Sequence, residues 1–144
     1  MLYSWDIGMG VNFSALYAYY LASPVNWLII LCPKKFIIEF MTILIMVKTG
    51  LCGVTFTWYL DHHFEKKHFV AGVFGIFYAL SGYMAAYSWN IMWLDCIFLL
   101  PLILYGLEQL VQEKKGLFYC VTLGLSILSN YYISIMICIS WSCM

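Results

Sequence analysis

Four long apolar runs, separated by short polar stretches, organise most of the chain. They cover residues 36–60, 69–87, 91–107 and 117–139. A bilayer core about 30 Å thick needs roughly 20 apolar residues in a helix, so each run is long enough, or nearly so, to cross one. The first, Phe36 to Leu60, is the longest and crosses with tilt. It carries Glu39 near its start and Lys48 near its middle. The second is rich in Gly and Ala, which lets neighbouring helices approach closely. The third is short and contains Pro101, which removes one backbone bond and kinks a helix. The fourth carries Asn130-Tyr131-Tyr132 in its second half. The pattern predicts an all-α polytopic membrane protein with four transmembrane helices over residues 36–144.

Residues 1–35 read differently, as an exterior loop. Gly8, Gly10 and Asn12 punctuate the first 13 residues, and no helical period is sustained there. Between Ser14 and Cys32 two apolar halves, rich in Tyr and Trp, are each too short to span. They predict two interfacial helices, the second capped by Ser23 with Pro24 at its first position. Both ends of the chain are abrupt, with no basic leader before Met1 and an apolar run reaching almost to Met144. A piece of a longer membrane protein is expected.

Composition agrees with the pattern. Of 144 residues 65% are hydrophobic and 10% charged, and the mean hydropathy is +0.89. A soluble domain carries about 25% charged residues. Seven lysines without an arginine balance seven acids, which excludes the basic patch a nucleic acid would demand. The six cysteines fall mostly inside apolar runs without metal-ligand spacing, and they read as small hydrophobes.

Lysine sets the orientation. Lys66-Lys67 and Lys114-Lys115 lie in the two short turns that an up-down chain puts on one side. The positive-inside rule makes that side cytoplasmic, so residues 1–35 and the hinge Ser88-Trp89-Asn90 face the exterior. Asp95 then lies about 7 Å below the outer boundary, and Asn130 about 20 Å above the inner one. Asp6, Asn90, Asp95 and Asn130 are expected to converge on one exterior-facing cavity. The bland alternatives are a carboxylate held by its own helix dipole for Asp95 and an interhelical hydrogen bond for Asn130. Lys48, counted from Phe36, falls about 18 Å down, near the midplane. Glu39 lies on the opposite face of the same helix, so Lys48 snorkels, faces a bundle interior or meets an anion.

Candidate chemistry is sparse. His62, His63 and His68 beside Glu65 match no metal spacing and read as a solvated turn. Nothing resembles a nucleophile elbow or a phosphate-binding glycine loop.

Several stretches together resemble the YfhO-type family of bacterial polytopic membrane proteins. They are Tyr3-Ser4-Trp5-Asp6-Ile7-Gly8-Met9-Gly10, Tyr19-Tyr20-Leu21-Ala22-Ser23-Pro24, Leu80-Ser81-Gly82-Tyr83 and Leu128-Ser129-Asn130-Tyr131-Tyr132-Ile133-Ser134. The most specific is the hinge Ser88 to Cys96, with Pro101 and Gly106-Leu107-Glu108 after it. The resemblance covers nearly the whole chain and implies an N-terminal fragment lacking a first helix. It also implies kinship with C-type membrane glycosyltransferases, which pass a sugar from a polyprenyl-phosphate carrier to an extracytoplasmic acceptor, here a cell-wall polymer such as teichoic acid. By that resemblance Asp6 is the acidic residue at the reaction centre and Asp95 a second catalytic acid. Lys34 and Lys35 would meet the lipid phosphate, and Asn90, Asn130 and Tyr131 would line the substrate site. No cofactor is implied beyond a divalent cation that two carboxylates could share with water. A transporter or flippase, with Lys48 and Asp95 as pathway charges, and a non-catalytic assembly protein are the competing classes.

Overall fold

The computed structural model describes residues 3–4, 11–12, 23–64 and 69–142. A short antiparallel pair, β1 (Tyr3–Ser4) and β2 (Val11–Asn12), brings Tyr3 opposite Asn12 and Ser4 opposite Val11. A 3-10 helix, Pro24–Leu31, and a 3-10 turn, Lys34–Phe36, lead into α1 (Ile37–His63). Then follow α2 (Phe69–Ala79), α3 (Gly82–Tyr87), α4 (Ile91–Glu113), α5 (Leu117–Ser129) and α6 (Tyr131–Ser142).

Three stretches are long and apolar enough to cross a membrane among the described residues: Lys34–His63, Phe69–Tyr87 and Ile91–Glu113. Leu117–Ser129 is a shorter apolar helix. Burial is inverted relative to a soluble domain. Ile38, Phe69 and Leu117 are 80–90% exposed, while Lys48, Asp95, Ser126, Asn130 and Ser134 are almost wholly buried. A chain that turns apolar side chains outward and gathers its polar ones inside is built for lipid. The fold is that of an all-α, multi-pass membrane protein.

α1 is the hub. It packs against α2 and α4, α4 packs against α5, and α6 folds back onto α5 and α4. Cys52, Met84 and Leu94 form the buried core, with Tyr78 and Ile97 against it. Two glycines permit the closest approaches. A Cβ on Gly75 would stand 2.8 Å from the Gly53 carbonyl oxygen across the α1–α2 contact, and one on Gly106 would stand 2.9 Å from the Tyr119 Cα across α4–α5. Pro101 lies inside α4 and denies the Ile97 carbonyl its helical partner. The Tyr78 hydroxyl, from α2, donates to that carbonyl at 2.9 Å. The proline's vacancy is thus filled from a neighbouring helix, as lipid-embedded backbone requires.

The structure departs from the sequence expectation in four places. The segment after Ser23 winds as a 3-10 helix, with Pro24 at its start as expected, but the Ser23 hydroxyl is buried and makes no capping bond. Its companion before Ser23 lies outside the described residues. α4 runs on to Glu113, so Glu108 belongs to a helix and not to a turn. Asp61, His62 and His63 likewise finish α1, while Glu65 to His68 lie outside the described residues. The run expected as one span over 117–139 is broken at Asn130, whose extended backbone (φ −159°, ψ 106°) separates α5 from α6.

Candidate functional site

The site begins with a lysine inside the first apolar run. Lys48 of α1 and Asp95 of α4 form an ion pair, Nζ lying 2.9 Å from Oδ1, and Nζ donates to Oδ2 at 2.9 Å. Oδ1 lies off the hydrogen-bonding direction and takes no hydrogen bond in this structure. Nζ donates also to the Asn26 Oδ1 at 2.7 Å and to the Ile91 carbonyl at 3.1 Å. An ammonium has three protons, and these partners use all of them. The cluster joins the 3-10 segment, α1 and α4, with both charged side chains sealed from solvent.

Lys48 therefore does not lie below Asp95, as the separate counts from Phe36 and Asn90 placed it. Both stand on one level. A second clasp shows why. The Tyr59 hydroxyl donates to the Glu108 Oε1 at 2.6 Å, and the His63 Nδ1 lies 2.9 Å from the same oxygen. α1 and α4 thus run in the same direction, tied at two levels some 13 residues apart on α4, about 20 Å. Measured from the clasps, α1 projects about 16 Å beyond the ion pair at its N-terminal end, several ångströms past the start of α4. The apolar run of α1 does not start at the level where α4 starts, and counting each run from its own first residue set the two charges apart.

Beside the ion pair a cleft of about 420 Å³ opens between the 3-10 segment, α1 and the start of α4. Ile29, Met41, Leu44 and Met92 form its apolar walls, and Trp89 and Asn90 stand at its polar side. Asn90 is 5% exposed. It holds the N-cap position of α4 but makes no side-chain capping bond. Its backbone is fixed, the N–H donating to the Tyr87 carbonyl and the carbonyl accepting from the Trp93 N–H, each at 2.9 Å. Trp89 is largely exposed, and its indole N–H is spent on the Ala86 carbonyl at 3.2 Å.

A separate polar knot surrounds the break at Asn130. The Asn130 Oδ1 accepts from the N–H groups of Tyr132 and Ile133 at 3.1 and 3.2 Å, so it caps α6. Ser126 and Ser134 oxygens meet at 2.8 Å. In an unbroken helix their positions would be about 12 Å apart along the axis. The Ser134 hydroxyl donates to the Asn130 carbonyl at 2.9 Å, and the Cys96 sulfur reaches the Ser126 and Asn130 carbonyls at 3.7 and 3.8 Å.

Of the residues singled out from sequence, Asn90 and Asp95 both lie at the start of α4, Asn90 on the cleft and Asp95 in the ion pair. Asp6 lies outside the described residues. Asn130 is fully buried and caps its own helix, and Tyr131 beside it is half exposed. Lys34 and Lys35 are exposed on the turn before α1, about 13 residues ahead of Lys48. No three His, Cys, Asp or Glu side chains converge to hold a metal among the described residues. Sequence reasoning missed two residues, Asn26 and Glu108, and left Lys48 with three readings, of which a bundle interior and an anion both hold. Lys48 was legible as the one basic residue able to meet Asp95 inside the bilayer. Asn26 had no signal beyond being polar, and Glu108 was hidden by the turn assigned to it.

Comparison with the curated proteins and with the solved structures finds no match. The family model described as bacterial membrane protein YfhO matches residues 1–144, the whole chain. A buried polar layer inside an outward-facing apolar bundle is what such a membrane protein needs, and the chain belongs to the YfhO family of bacterial membrane proteins.

Proposed function

We propose that this chain is part of an integral membrane glycosyltransferase that moves a sugar from a polyprenyl-phosphate carrier to an extracytoplasmic cell-wall polymer. The observation that carries the reading is the cleft under Trp89 and Asn90. It has apolar walls and a polar edge, and lies at the end of α4 opposite Lys114 and Lys115. By the positive-inside rule that end faces the exterior.

The acceptor hydroxyl oxygen attacks the anomeric carbon, the bond from that carbon to the phosphate oxygen breaks, and polyprenyl phosphate leaves. Asp6 takes the hydroxyl proton as general base. Lys34 and Lys35, exposed before α1, stabilise the charge growing on the leaving phosphate. Asp95 is bound to Lys48 through the ion pair, so its part in this scheme is to hold the site and not to accept the proton.

A transporter would use Lys48 and Asp95 as pathway charges. The saturation of Lys48 by three partners supports a fixed structural pair over a mobile one. The test is sugar transfer by the intact protein in membranes. Asp6→Asn, expressed normally, loses transfer; full transfer by that variant overturns the reading.

A further inference from the structure

The cleft beside the ion pair has a chemistry of its own. Its lining holds no charged side chain among the described residues. Lys48, the nearest cation, has every proton engaged by Asp95, Asn26 and Ile91, so it offers nothing to an anion. A phosphate seated there would lose its hydration without gaining a donor of opposite charge. An uncharged ligand faces no such cost.

Two residues indicate which one. Asn90, 5% exposed, lines the cleft, and its carboxamide makes no capping bond to α4. An amide at the cleft surface offers a ligand two donors and two acceptor sites. Trp89 precedes it, with the indole oriented by its bond to the Ala86 carbonyl and most of its surface open. Vicinal hydroxyls that both donate and accept suit the amide, and a sugar ring's C–H face packs on an indole face. An isoprenyl chain would use the apolar walls but offers the Asn90 amide nothing to bond.

We propose that this cleft seats the uncharged sugar ring of a lipid-linked sugar, with Asn90 hydrogen-bonded to its hydroxyls and Trp89 stacked on its face. The inference rests on the glycosyltransferase reading above for the identity of the lipid carrier. The phosphate lies outside the cleft, toward Lys34. That lysine lies on the exposed turn leading into α1, the helix that gives the cleft Met41 and Leu44.

Binding tests this without any transfer step. The intact protein, purified in detergent, is titrated with short-chain polyprenyl phosphates carrying glucose, galactose, mannose or N-acetylglucosamine. The same polyprenyl phosphate without a sugar is the control. At least one glycolipid binds more tightly than the control. Asn90→Leu and Trp89→Leu each erase about tenfold of that affinity and leave the control's affinity unchanged, which also shows that the variants fold. Trp89→Phe retains most of it. No preference for any glycolipid over the control, or equal losses for both, overturns the proposal. If the sugar-dependent pattern holds while transfer is absent, the cleft stands and the glycosyltransferase reading falls.

Discussion

Lys48 and Asp95 face each other at 2.9 Å from two parallel helices, both out of solvent. Neither charge is tolerable alone in hydrocarbon, and each makes the other possible. Removing one partner of a buried pair typically costs about 3–5 kcal/mol, while replacing both with apolar groups of similar size is often neutral. Lys48→Met and Asp95→Leu should each lower the stability of the detergent-solubilised protein by that order. The double variant should recover most of it. Thermal or denaturant unfolding of the four proteins reads the cycle; purely additive losses would mean the pair is not coupled.

Tyr78 and Pro101 make a second cycle. Tyr78→Phe leaves the Ile97 carbonyl without the bond that replaces the one Pro101 removes, at a cost of about 1–3 kcal/mol. Pro101→Ala restores the helical partner, so Tyr78→Phe should cost clearly less in that background. Unfolding measurements on the two backgrounds give the comparison.

The clasp at Glu108 is shallower. Glu108 is 29% exposed and His63 44%, so water competes there and the bond from Tyr59 is the stronger element. Tyr59→Phe should cost about 1 kcal/mol, well below Lys48→Met. The ordering of the two losses, measured in the same detergent, checks the depth assigned to each clasp.

Asn130→Ala removes the cap from α6 and should destabilise by about 1 kcal/mol, with Asn130→Ser recovering part of the loss. Faster hydrogen exchange at the Tyr132 and Ile133 amides of the alanine variant would localise the effect. Protection unchanged there would contradict the capping role.

Much of this architecture was legible in the residues. Apolar runs of spanning length and two lysine-bearing connections define the class, and Asn90 followed by Ile91 marks the start of α4 in sequence and structure alike. The break at Asn130 was not legible from hydropathy, because Ser126, Asn130 and Ser134 barely lower the mean of an otherwise apolar run. Their four-residue spacing shows a polar stripe, but a stripe does not say whether the helix continues or folds back. The level of Lys48 relative to Asp95 failed for a related reason. Hydropathy marks where a helix can meet lipid, not where its neighbour begins, and the register of α1 on α4 is set by side-chain clasps between residues nearly fifty positions apart.

In the proposed reaction two carboxylates differ in role, Asp6 taking the proton and Asp95 holding Lys48. Sugar transfer from a polyprenyl-phosphate donor, measured for the intact protein carrying either Asp6→Asn or the paired Lys48→Met and Asp95→Leu, tests it most directly. The account predicts that Asp6→Asn lowers the rate by about 10²–10⁴-fold, the usual worth of a general base, while the paired variant keeps rates within about tenfold of the unaltered protein. Normal transfer by Asp6→Asn together with its abolition in a stably folded paired variant would contradict the account and place function at the Lys48–Asp95 pair instead.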